Sequence, residues 1–462
     1  MKKIIVSLFS GVLLLNTACK KSDNTSDPGG GNGGGGSSTV DIRGTIVSDQ
    51  HWTGDKTYRL RGYVYVTSGA TVTIDPGTKI VSNKDSAGVL VIYKGAKIMA
   101  QGTASQPIVF TSAETNPQPG DFGGVVLVGL AKGNGNHALL EGGVDAAYNT
   151  FGGNNDADNS GVLKYVRIEY GGKAVNPGDE INGLSLYAVG SGTTIDYVQV
   201  VRGLDDAYEF FGGAVNCKHL IAYNCADDDY DMDDGFHGMI QYAISIKDPK
   251  FTDNKGTTGD VSNNFEVDNV NTTNGLPLAT TPVTFPVLSN FTAIGPNNGT
   301  GVSADYGWNM RWRRGSKFIL ANSIVLGGQK GGLRVQEDSS IAYYLRGTSA
   351  FYNSFLNSYG PTVDCQLGLT IPGIALYDNT SIGALTTGTY KTTFLAAATD
   401  AKLTDPFNNT NPNLKPMTGS PVLTGALFDF GGLTNAFFDH VTFRGALDPN
   451  NDWTTGWTVW NK

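Results

Sequence analysis

The clearest repeat in the amino-acid sequence runs from Leu184 to Met232 and reads LSLYAVGSGTTIDYVQVVRGLDDAYEFFGGAVNCKHLIAYNCADDDYDM. Three times within it, two apolar residues flank a single residue: Leu184/Leu186, Tyr208/Phe210 and Tyr230/Met232, at spacings of 24 and 22 residues. Short apolar alternations bounded by Gly, Asn and Asp are typical of short β-strands. Strands that recur at a nearly constant spacing predict a solenoid, in which each coil is stabilised by the coil stacked on it.

The same pattern extends outward in both directions. Further apolar pairs of this series are Val89/Val91, Val125/Leu127, Phe265/Val267, Met310/Trp312 and Leu333/Val335. A second series consists of Val166/Ile168, Val198/Val200, Leu220/Ala222 and Tyr242/Ile244. Two interleaved series indicate two or three strands in each coil, and the longer gaps indicate loops inserted into single coils. We therefore predict an all-β chain that forms a right-handed parallel β-helix over residues 40–425.

The residues after the repeat are rich in aromatic side chains. Residues 426–462 contain Phe428, Phe430, Phe437, Phe438, Phe443, Trp453, Trp457 and Trp460. The last coil of a solenoid exposes apolar side chains and unpaired strand edges, which must be covered. We predict that this tail is a C-terminal cap of the β-helix or a strand laid against the last coils. An aromatic sugar-binding patch is the alternative.

The N-terminus predicts export and lipid attachment. Lys2 and Lys3 precede an apolar run from Ile4 to Leu15, which is too short to span a bilayer. Cys19 ends this segment, so residues 1–18 predict a lipoprotein signal peptide that is cleaved before a lipid-carrying Cys19. Residues 19–39 include GGGNGGGG and predict a flexible tether. We therefore expect an outer-membrane lipoprotein that faces the cell exterior.

Charge and cysteine content exclude several functional classes. The formal net charge of −9 argues against nucleic acid as a partner. Apart from Cys19, the cysteines are Cys217, Cys225 and Cys365, an odd set without metal-ligand spacing. Neither a disulfide framework nor a zinc site is predicted.

Several segments resemble a known family. GATVTIDPGTKI (69–80) and VLVIYKGAKIMAQGT (89–103) are similar to the opening coils of bacterial right-handed β-helix proteins. FGGNNDADNSGVLKYVRIEYGG (151–172), DDAYEFFGGAVNCKHL (205–220) and the closing NDWTTGWTVWN (451–461) resemble a family of bacterial surface lipoproteins common in Bacteroidota. This resemblance implies the fold and a surface location, and it implies no activity.

Aligning the coils predicts a charged ladder on one face. If the apolar pairs point inward, the residue between them points outward, because side chains alternate along a strand. The predicted outward column is Leu90, Val126, Ser185, Glu209, Asp231, Glu266, Arg311 and Arg334. Two residues later come Tyr187, Phe211, Asp233, Asp268, Arg313 and Gln336, and the position before the apolar pair includes Asp229. One face therefore carries carboxylates in its middle coils and arginines in its later coils.

The stacked carboxylates suggest a cation site. Side chains on coils about 4.8 Å apart repel one another unless they face water, pair with arginine or bind a cation. Hard carboxylate oxygens are the ligands that Ca²⁺ prefers. The candidate metal ligands are Glu209, Asp231, Asp233, Glu266 and Asp268. The alternative is a solvated acidic face with a Glu266–Arg311 ion pair.

The same face offers candidate ligand-binding and catalytic residues. Asp229, Trp308, Arg311 and Arg334 are candidates for ligand contact, with Trp308 placed to stack on a sugar ring. A calcium-dependent polysaccharide lyase would need a base, for which Arg311, Arg313 and Arg334 are candidates together with Arg314 and Lys330. A glycoside hydrolase would instead use two carboxylates, such as Glu209 with Asp233 or Asp231 with Glu266.

The leading hypothesis is a non-enzymatic surface module. Its β-helix would present a rigid, calcium-stabilised face to a glycan or to another surface protein. The absence of a recognisable catalytic motif favours this hypothesis over the alternative, a carbohydrate-active enzyme. The sequence does not decide between the two.

Overall fold

Parallel strands stacked coil upon coil form the body of the protein. The computed structural model describes residues 38–67, 69–176, 179–253 and 260–462. The predicted signal peptide, Cys19 and nearly all of the predicted tether lie outside the described residues. Almost every described strand pairs in parallel with its counterpart one coil away, which confirms the right-handed parallel β-helix.

The strands and helices follow one another along the chain in a regular order. The first strands are β1 (Ser38–Ile46), β2 (Gln50–Trp52), β3 (Lys56–Val66), β4 (Thr71–Ile74), β5 (Lys79–Ser82), β6 (Val89–Ile92), β7 (Lys97–Gln101), β8 (Ile108–Ser112), β9 (Gly124–Val128) and β10 (Gly161–Glu169). They are followed by β11 (Lys173–Asn176), β12 (Asp179–Ile181), β13 (Leu184–Tyr187), β14 (Thr194–Val201), β15 (Tyr208–Phe211), β16 (Asn216–Tyr223), β17 (Tyr230–Asp233), β18 (Met239–Ile246), β19 (Phe265–Val267) and β20 (Val287–Ile294). The last are β21 (Trp308–Trp312), β22 (Ile319–Ala321), β23 (Ile324–Gly328), β24 (Gly331–Val335), α1 (Asp338–Leu345), β25 (Ala350–Tyr352), β26 (Phe355–Ser358), α2 (Asn379–Gly388), β27 (Thr393–Phe394), β28 (Leu403–Asp405) and β29 (Asn413–Pro416).

These strands build three sheets around a shared core. The first, here called the ladder sheet, contains the end of β3 and then β6, β9, β13, β15, β17, β19, β21 and β24. The second contains β2, β4, β7, the first halves of β10, β14, β16, β18 and β20, and then β22 and β25. The third contains β5, β8, the second halves of the same five strands, and then β23, β26 and β27.

Each of the five strands shared by the second and third sheets turns from one sheet to the other at one residue with a left-handed backbone. These residues are Tyr165, Tyr197, His219, Tyr242 and Asn290, with φ between 50° and 62°. A left-handed conformation costs a non-glycine residue about 1–2 kcal/mol. Ring stacking offsets part of that cost, because successive rings from Tyr165 to Tyr242 lie 4.4, 4.1 and 5.1 Å apart.

The interior contains the apolar pairs and a column of rings. Tyr208, Tyr230, Phe265 and Trp312 stack in successive coils at centroid distances of 5.3, 5.7 and 6.1 Å. The buried hydroxyl groups of Tyr208 and Tyr230 donate hydrogen bonds to backbone carbonyl oxygens of the third sheet. The inward pairs predicted from Val125/Leu127 to Leu333/Val335 all belong to this core.

Two predicted pairs are wrong by one residue. In β6 the inward residues are Leu90 and Ile92, because Leu90 pairs with Val125. In β18 the inward residues are Ala243 and Ser245, because Leu220 pairs with Ala243. The turn between β17 and β18 is one residue longer than the turn between β15 and β16. Paired residues of β16 and β18 are therefore 23 apart in sequence, whereas paired residues of β15 and β17 are 22 apart.

A long loop covers the first coils of the ladder sheet. Residues 129–160 place Leu140, Val144, Tyr148 and Phe151 against the outward side chains of β6 and β9, so the outward column is apolar there. The loop ends at Gly161, whose φ of 111° and approach to Ile98 exclude a side chain, since a Cβ would lie 1.9 Å from the carbonyl oxygen of Ile98. The loop reaches from the first coils to the acidic part of the ladder, where its His137 contacts Asp234.

The chain leaves the solenoid earlier than predicted. The last strand paired within the β-helix is β27, which ends at Phe394 instead of residue 425, and β28 and β29 form a separate antiparallel pair. At the other end, β1 begins at Ser38, two residues inside the predicted tether. Neither α1 nor α2, the two α-helices of the described residues, is long and apolar enough to cross a membrane.

The aromatic tail runs along the side of the coils. Side chains of Asn353, Asn322, Asn290, Gln241 and Gln199 hydrogen bond in turn to the tail backbone at Gly425, Leu427, Phe443, Asp439 and Val459. Trp453 and Trp457 pack edge-on against the ring of Tyr197. The tail therefore lies against the coils without forming a β-strand, and a cap over the end of the solenoid stays a prediction.

Candidate functional site

The structure forms the predicted ladder from Ser185 onward. In the strand register, Glu209 lies opposite Ser185 on one side and Asp231 on the other. Glu266 lies between Asp231 and Arg311, and Arg334 follows Arg311. The first coil is corrected to Val91, which stands in the outward column where Leu90 was predicted. The face therefore changes along the solenoid from apolar to acidic to basic side chains.

The middle of the ladder is an ion-pair network. Glu266 pairs with Arg311 at 3.1 Å and with Arg313 at a shorter distance. Asp268 pairs with Arg313 at 2.7 Å and with Arg314 at 2.7 Å. The side chains of Glu266, Asp268, Arg311 and Arg313 are 4–12% exposed, so solvent screens these pairs weakly.

This network corrects two predictions. Glu266 and Asp268, predicted as metal ligands, are instead neutralised by guanidinium groups. Arg311 and Arg313, predicted as candidate bases, are instead ion-paired with these carboxylates, and although burial opposes it, the charges of Asp268 and Glu266 raise the pKa of Arg313. Arg334 is likewise paired, with Asp364 at 2.9 Å.

A second group of carboxylates lies one and two coils earlier. We define the acid cluster as Asp205, Asp206, Glu209, Asp227 and Asp231. Within it, ligand oxygens of Asp206, Glu209 and Asp231 lie within 4.8 Å of one another, and so do those of Asp205, Asp206 and Asp227. The side chain of Asn182 donates a hydrogen bond to Glu209, and the backbone of Asp228 donates one to Asp206 at 2.7 Å. Oδ1 of Asp231 is enclosed and has no hydrogen-bond partner among the described residues.

Burial and mutual repulsion make the acid cluster unstable as a set of anions. Burial raises the pKa of Glu209 well above its usual range, and the charges of Glu141 and Asp231 raise it further. Burial also raises the pKa of Asp231, with Asp233 and Glu266 adding to the effect, and that of Asp206, with Asp227 adding to it. The cluster must therefore either bind protons or bind a cation.

Asp229, a predicted ligand-binding residue, lies inside the solenoid. Its side chain is 0% exposed, pairs with Lys247 at 3.1 Å and accepts hydrogen bonds from Ser245 and Asn264. Asp229 precedes β17 at a corner of the coil, where the regular alternation of strand side chains does not apply. A ligand on the outer face cannot contact it.

The basic end of the ladder surrounds a half-buried tryptophan. The guanidinium of Arg334 lies 4.5 Å from the ring centroid of Trp308, and Arg311 and Lys330 lie at 5.7 Å. The indole nitrogen of Trp308 donates a hydrogen bond to Asp364 at 2.9 Å, which fixes the ring. Among the described residues Lys330 makes no ion pair, and burial followed by the charge of Arg311 lowers its pKa.

The comparisons with known proteins agree with this architecture. A family model described as a pectate-lyase-like beta helix domain matches residues 44–396. The chain belongs to this family. The match begins within β1 and ends just after β27, so this pectate-lyase-like β-helix contains the whole ladder. Searches of the curated proteins and of the solved structures give no match.

Within the pectate-lyase-like β-helix, three members of the acid cluster escaped the sequence prediction. They are Asp205, Asp206 and Asp227, which belong to the turns before β15 and β17 and therefore not to the alternating strand positions. The repeat could have revealed two of them, because Asp205 and Asp227 are separated by the same 22 residues as Glu209 and Asp231.

A pH dependence follows for the metal-free β-helix. Where a folded carboxyl has a raised pKa, the folded state binds more protons than the unfolded chain, so stability falls as pH rises. In EDTA we expect the melting temperature to fall as the pH rises above the usual carboxyl pKa of about 4, opposite to the usual effect of paired carboxylates. The Glu209→Gln/Asp231→Asn double variant should remove much of this fall. An equal fall in the double variant, measured by circular dichroism, would contradict the assignment.

Proposed function

We propose that the ladder sheet is a non-catalytic, calcium-dependent binding face for an acidic polysaccharide. The acid cluster would hold Ca²⁺, and the ion would bind a carboxylate of the polysaccharide through its remaining coordination positions. A later part of the same polysaccharide would contact Trp308, Lys330 and Arg334.

The distance between the acid cluster and the basic end of the ladder favours binding over lyase chemistry. Asp231 lies two coils from Arg311 and three from Arg334, which is about 10 and 14 Å at the usual strand spacing. The ion-paired Glu266 and Asp268 fill the space between. A lyase base must reach the sugar whose carboxylate the cation binds, within hydrogen-bond distance. An extended polymer spans such a distance, whereas a single reacting sugar does not.

The acid cluster fits calcium in its donors and its dimensions. Ca²⁺ takes carboxylate oxygens at about 2.4 Å, so two opposite ligand oxygens lie about 4.8 Å apart. The ligand oxygens of Asp206, Glu209 and Asp231 lie within 4.8 Å of one another. Asp231 contributes a buried Oδ1 that has no hydrogen-bond partner among the described residues and is therefore available to a cation. Bound Ca²⁺ would offset both the burial and the repulsion that raise the pKa values of these carboxyl groups.

Membrane attachment is part of the proposal. The apolar segment before Cys19 and the resemblance to surface lipoproteins of Bacteroidota support a lipid anchor on the outer membrane, with the β-helix on the cell exterior. The glycine-rich segment up to residue 37 would act as the tether. Such an anchor would keep the binding face close to polysaccharide at the cell surface.

The decisive experiment measures calcium and polysaccharide binding on the same variants. We expect Ca²⁺ to bind by isothermal titration calorimetry, and polygalacturonate or alginate to bind only when Ca²⁺ is present. Glu209→Gln and Asp231→Asn should each weaken Ca²⁺ binding tenfold or more, about 1.4 kcal/mol. Asp85→Asn, which removes an exposed acid outside the ladder, is the control and should leave both affinities unchanged.

Two results would overturn this function. Acidic polysaccharide bound equally with Ca²⁺ and with EDTA would remove the role of the ion. Release of unsaturated products, seen as ultraviolet absorbance, would replace binding by lyase chemistry. The lowered pKa of Lys330 is the observation that favours this second candidate function, and Lys330→Met should then abolish the signal.

A further inference from the structure

A second group of potential ligands lies beside the acid cluster and includes an imidazole. His137, Asp233 and Asp234 place ligand atoms within 4.8 Å of one another. Asp233 and Asp234 end β17 and begin the following turn, whereas His137 belongs to the loop 129–160. Nε2 of His137 lies 3.7 Å from Oε1 of Glu141 on the same loop.

The two aspartates are buried, and one of them has an unused oxygen. Asp234 is 0% exposed and Asp233 is 8% exposed. Asp234 accepts hydrogen bonds from Asn136 at 2.8 Å and from the backbone of His137 at 3.3 Å, so its carboxylate is held in place by the loop. No described residue donates a hydrogen bond to Oδ1 of Asp233. A buried carboxylate oxygen without a donor is costly unless a cation approaches it.

An ion pair between His137 and Asp234 satisfies only part of this group. Nδ1 of His137 lies 3.0 and 3.1 Å from the two oxygens of Asp234. A single imidazolium facing Asp233 and Asp234 leaves one negative charge, and Glu141 adds another. Arg314 also acts on Asp233, but its guanidinium is already paired with Asp268 at 2.7 Å. A divalent ion bound to neutral imidazole and the two aspartates balances their charge. The distance from Nδ1 to Asp234 also suits two ligands of one metal, since ligand atoms about 2.1 Å from it lie about 3.0–3.4 Å apart.

We propose that His137, Asp233 and Asp234 form a binding site for a divalent transition metal, distinct from the calcium site of the acid cluster. One nitrogen and carboxylate oxygens suit Zn²⁺ or Mn²⁺ better than Ca²⁺, which prefers oxygen alone. The hydrogen bonds to Asp234 orient this ligand, as outer contacts of metal sites do. The side chain of His137 is 22% exposed, so an ion can enter from solvent.

Such an ion would fasten the loop to the coils. His137 lies on the loop and both aspartates lie on the solenoid, so coordination joins two segments almost a hundred residues apart in sequence. The same loop also contacts the segment between β19 and β20, because Asn134 donates hydrogen bonds to Asn269 at 2.7 and 3.1 Å. Metal binding would therefore fix the loop that borders the acidic end of the ladder.

The test uses Zn²⁺ and Co²⁺ as probes, with Ca²⁺ in excess to occupy the acid cluster. We expect one Zn²⁺ per chain by isothermal titration calorimetry and a Co²⁺ visible spectrum of mixed nitrogen and oxygen ligands. His137→Gln and Asp233→Asn should each weaken Zn²⁺ binding roughly tenfold or more. His51→Gln, which removes another histidine hydrogen bonded to an aspartate at 2.7 Å, should leave it unchanged.

Three outcomes would refute the second site. They are no Zn²⁺ binding by the wild-type protein, unchanged binding in both His137→Gln and Asp233→Asn, or binding that Glu209→Gln abolishes and His137→Gln does not. The last result would assign the ion to the acid cluster. Failure of the calcium proposal would leave Zn²⁺ binding intact and appear as lost Ca²⁺ binding alone, so the two proposals fail separately.

Discussion

Replacing Lys247 by methionine is expected to lower the free energy of unfolding by about 3–5 kcal/mol. Lys247 and Asp229 are both 0% exposed, and their Nζ and Oδ1 atoms lie 3.1 Å apart. Asp229 would keep hydrogen bonds from Ser245 and Asn264 but would lose its counter-charge inside the solenoid. Removing one partner of a buried pair costs much more than the pair contributes, because it leaves an uncompensated charge.

The double variant Lys247→Met/Asp229→Asn distinguishes the cost of losing the ion pair from the cost of leaving one charge buried without a partner. It should recover much of the loss, because no buried charge remains. Lys132→Met is the matched control, since Lys132 pairs with Asp156 at the same 3.1 Å but both side chains are at least 36% exposed. Its expected cost is below about 1 kcal/mol. Urea unfolding of the four proteins measures these differences, and equal losses in Lys247→Met and Lys132→Met would contradict the prediction.

Arg313→Met is expected to be the second large perturbation, with a loss of about 3 kcal/mol or more. Arg313 pairs with both Glu266 and Asp268, whose side chains are 5% and 4% exposed. Without Arg313, Glu266 would keep one contact with Arg311, and Asp268 would keep one contact with Arg314. Arg313→Lys should fall between the wild type and methionine, because an ammonium retains the charge but cannot contact two carboxylates in a fork.

The control for this second prediction is Arg43→Met. Arg43 pairs with Asp41 at 3.3 Å, but its side chain is 69% exposed, so its removal should change stability little. Calorimetric melting of the three variants gives the comparison. If Arg313→Met melted like Arg43→Met, the ladder network would contribute no stability and the prediction would be wrong.

The repeat predicted the register wherever a polar residue separates the two apolar ones. Glu209, Asp231 and Glu266 mark the outward position without ambiguity, and their coils were placed correctly. The segment Val89–Ile92 has four apolar residues in succession, because the loop 129–160 covers its outer side, so alternation gave no information there. The shift at Tyr242 arose in a turn, where one added residue displaces the pairs that follow.

The site residues divide in the same way. Glu209 and Asp231 were included in the predicted site because both lie on strands at a constant spacing. Asp205, Asp206 and Asp227 lie in turns and were not predicted to belong to it. His137 could not be found from spacing, since the loop that carries it has no counterpart in the neighbouring coils. Asp229 was assigned to the wrong side because it lies at a corner of the coil.

The solenoid, its repeat and the order of charges along the ladder sheet could all be predicted from the amino-acid sequence. They follow from the local alternation of side chains and from a spacing that recurs in successive coils. The structure was needed to show which carboxylates pair with arginine, which lie together, and where the loop and the aromatic tail lie. Ion pairing and burial depend on distances between segments far apart in the chain, and no local pattern encodes those distances.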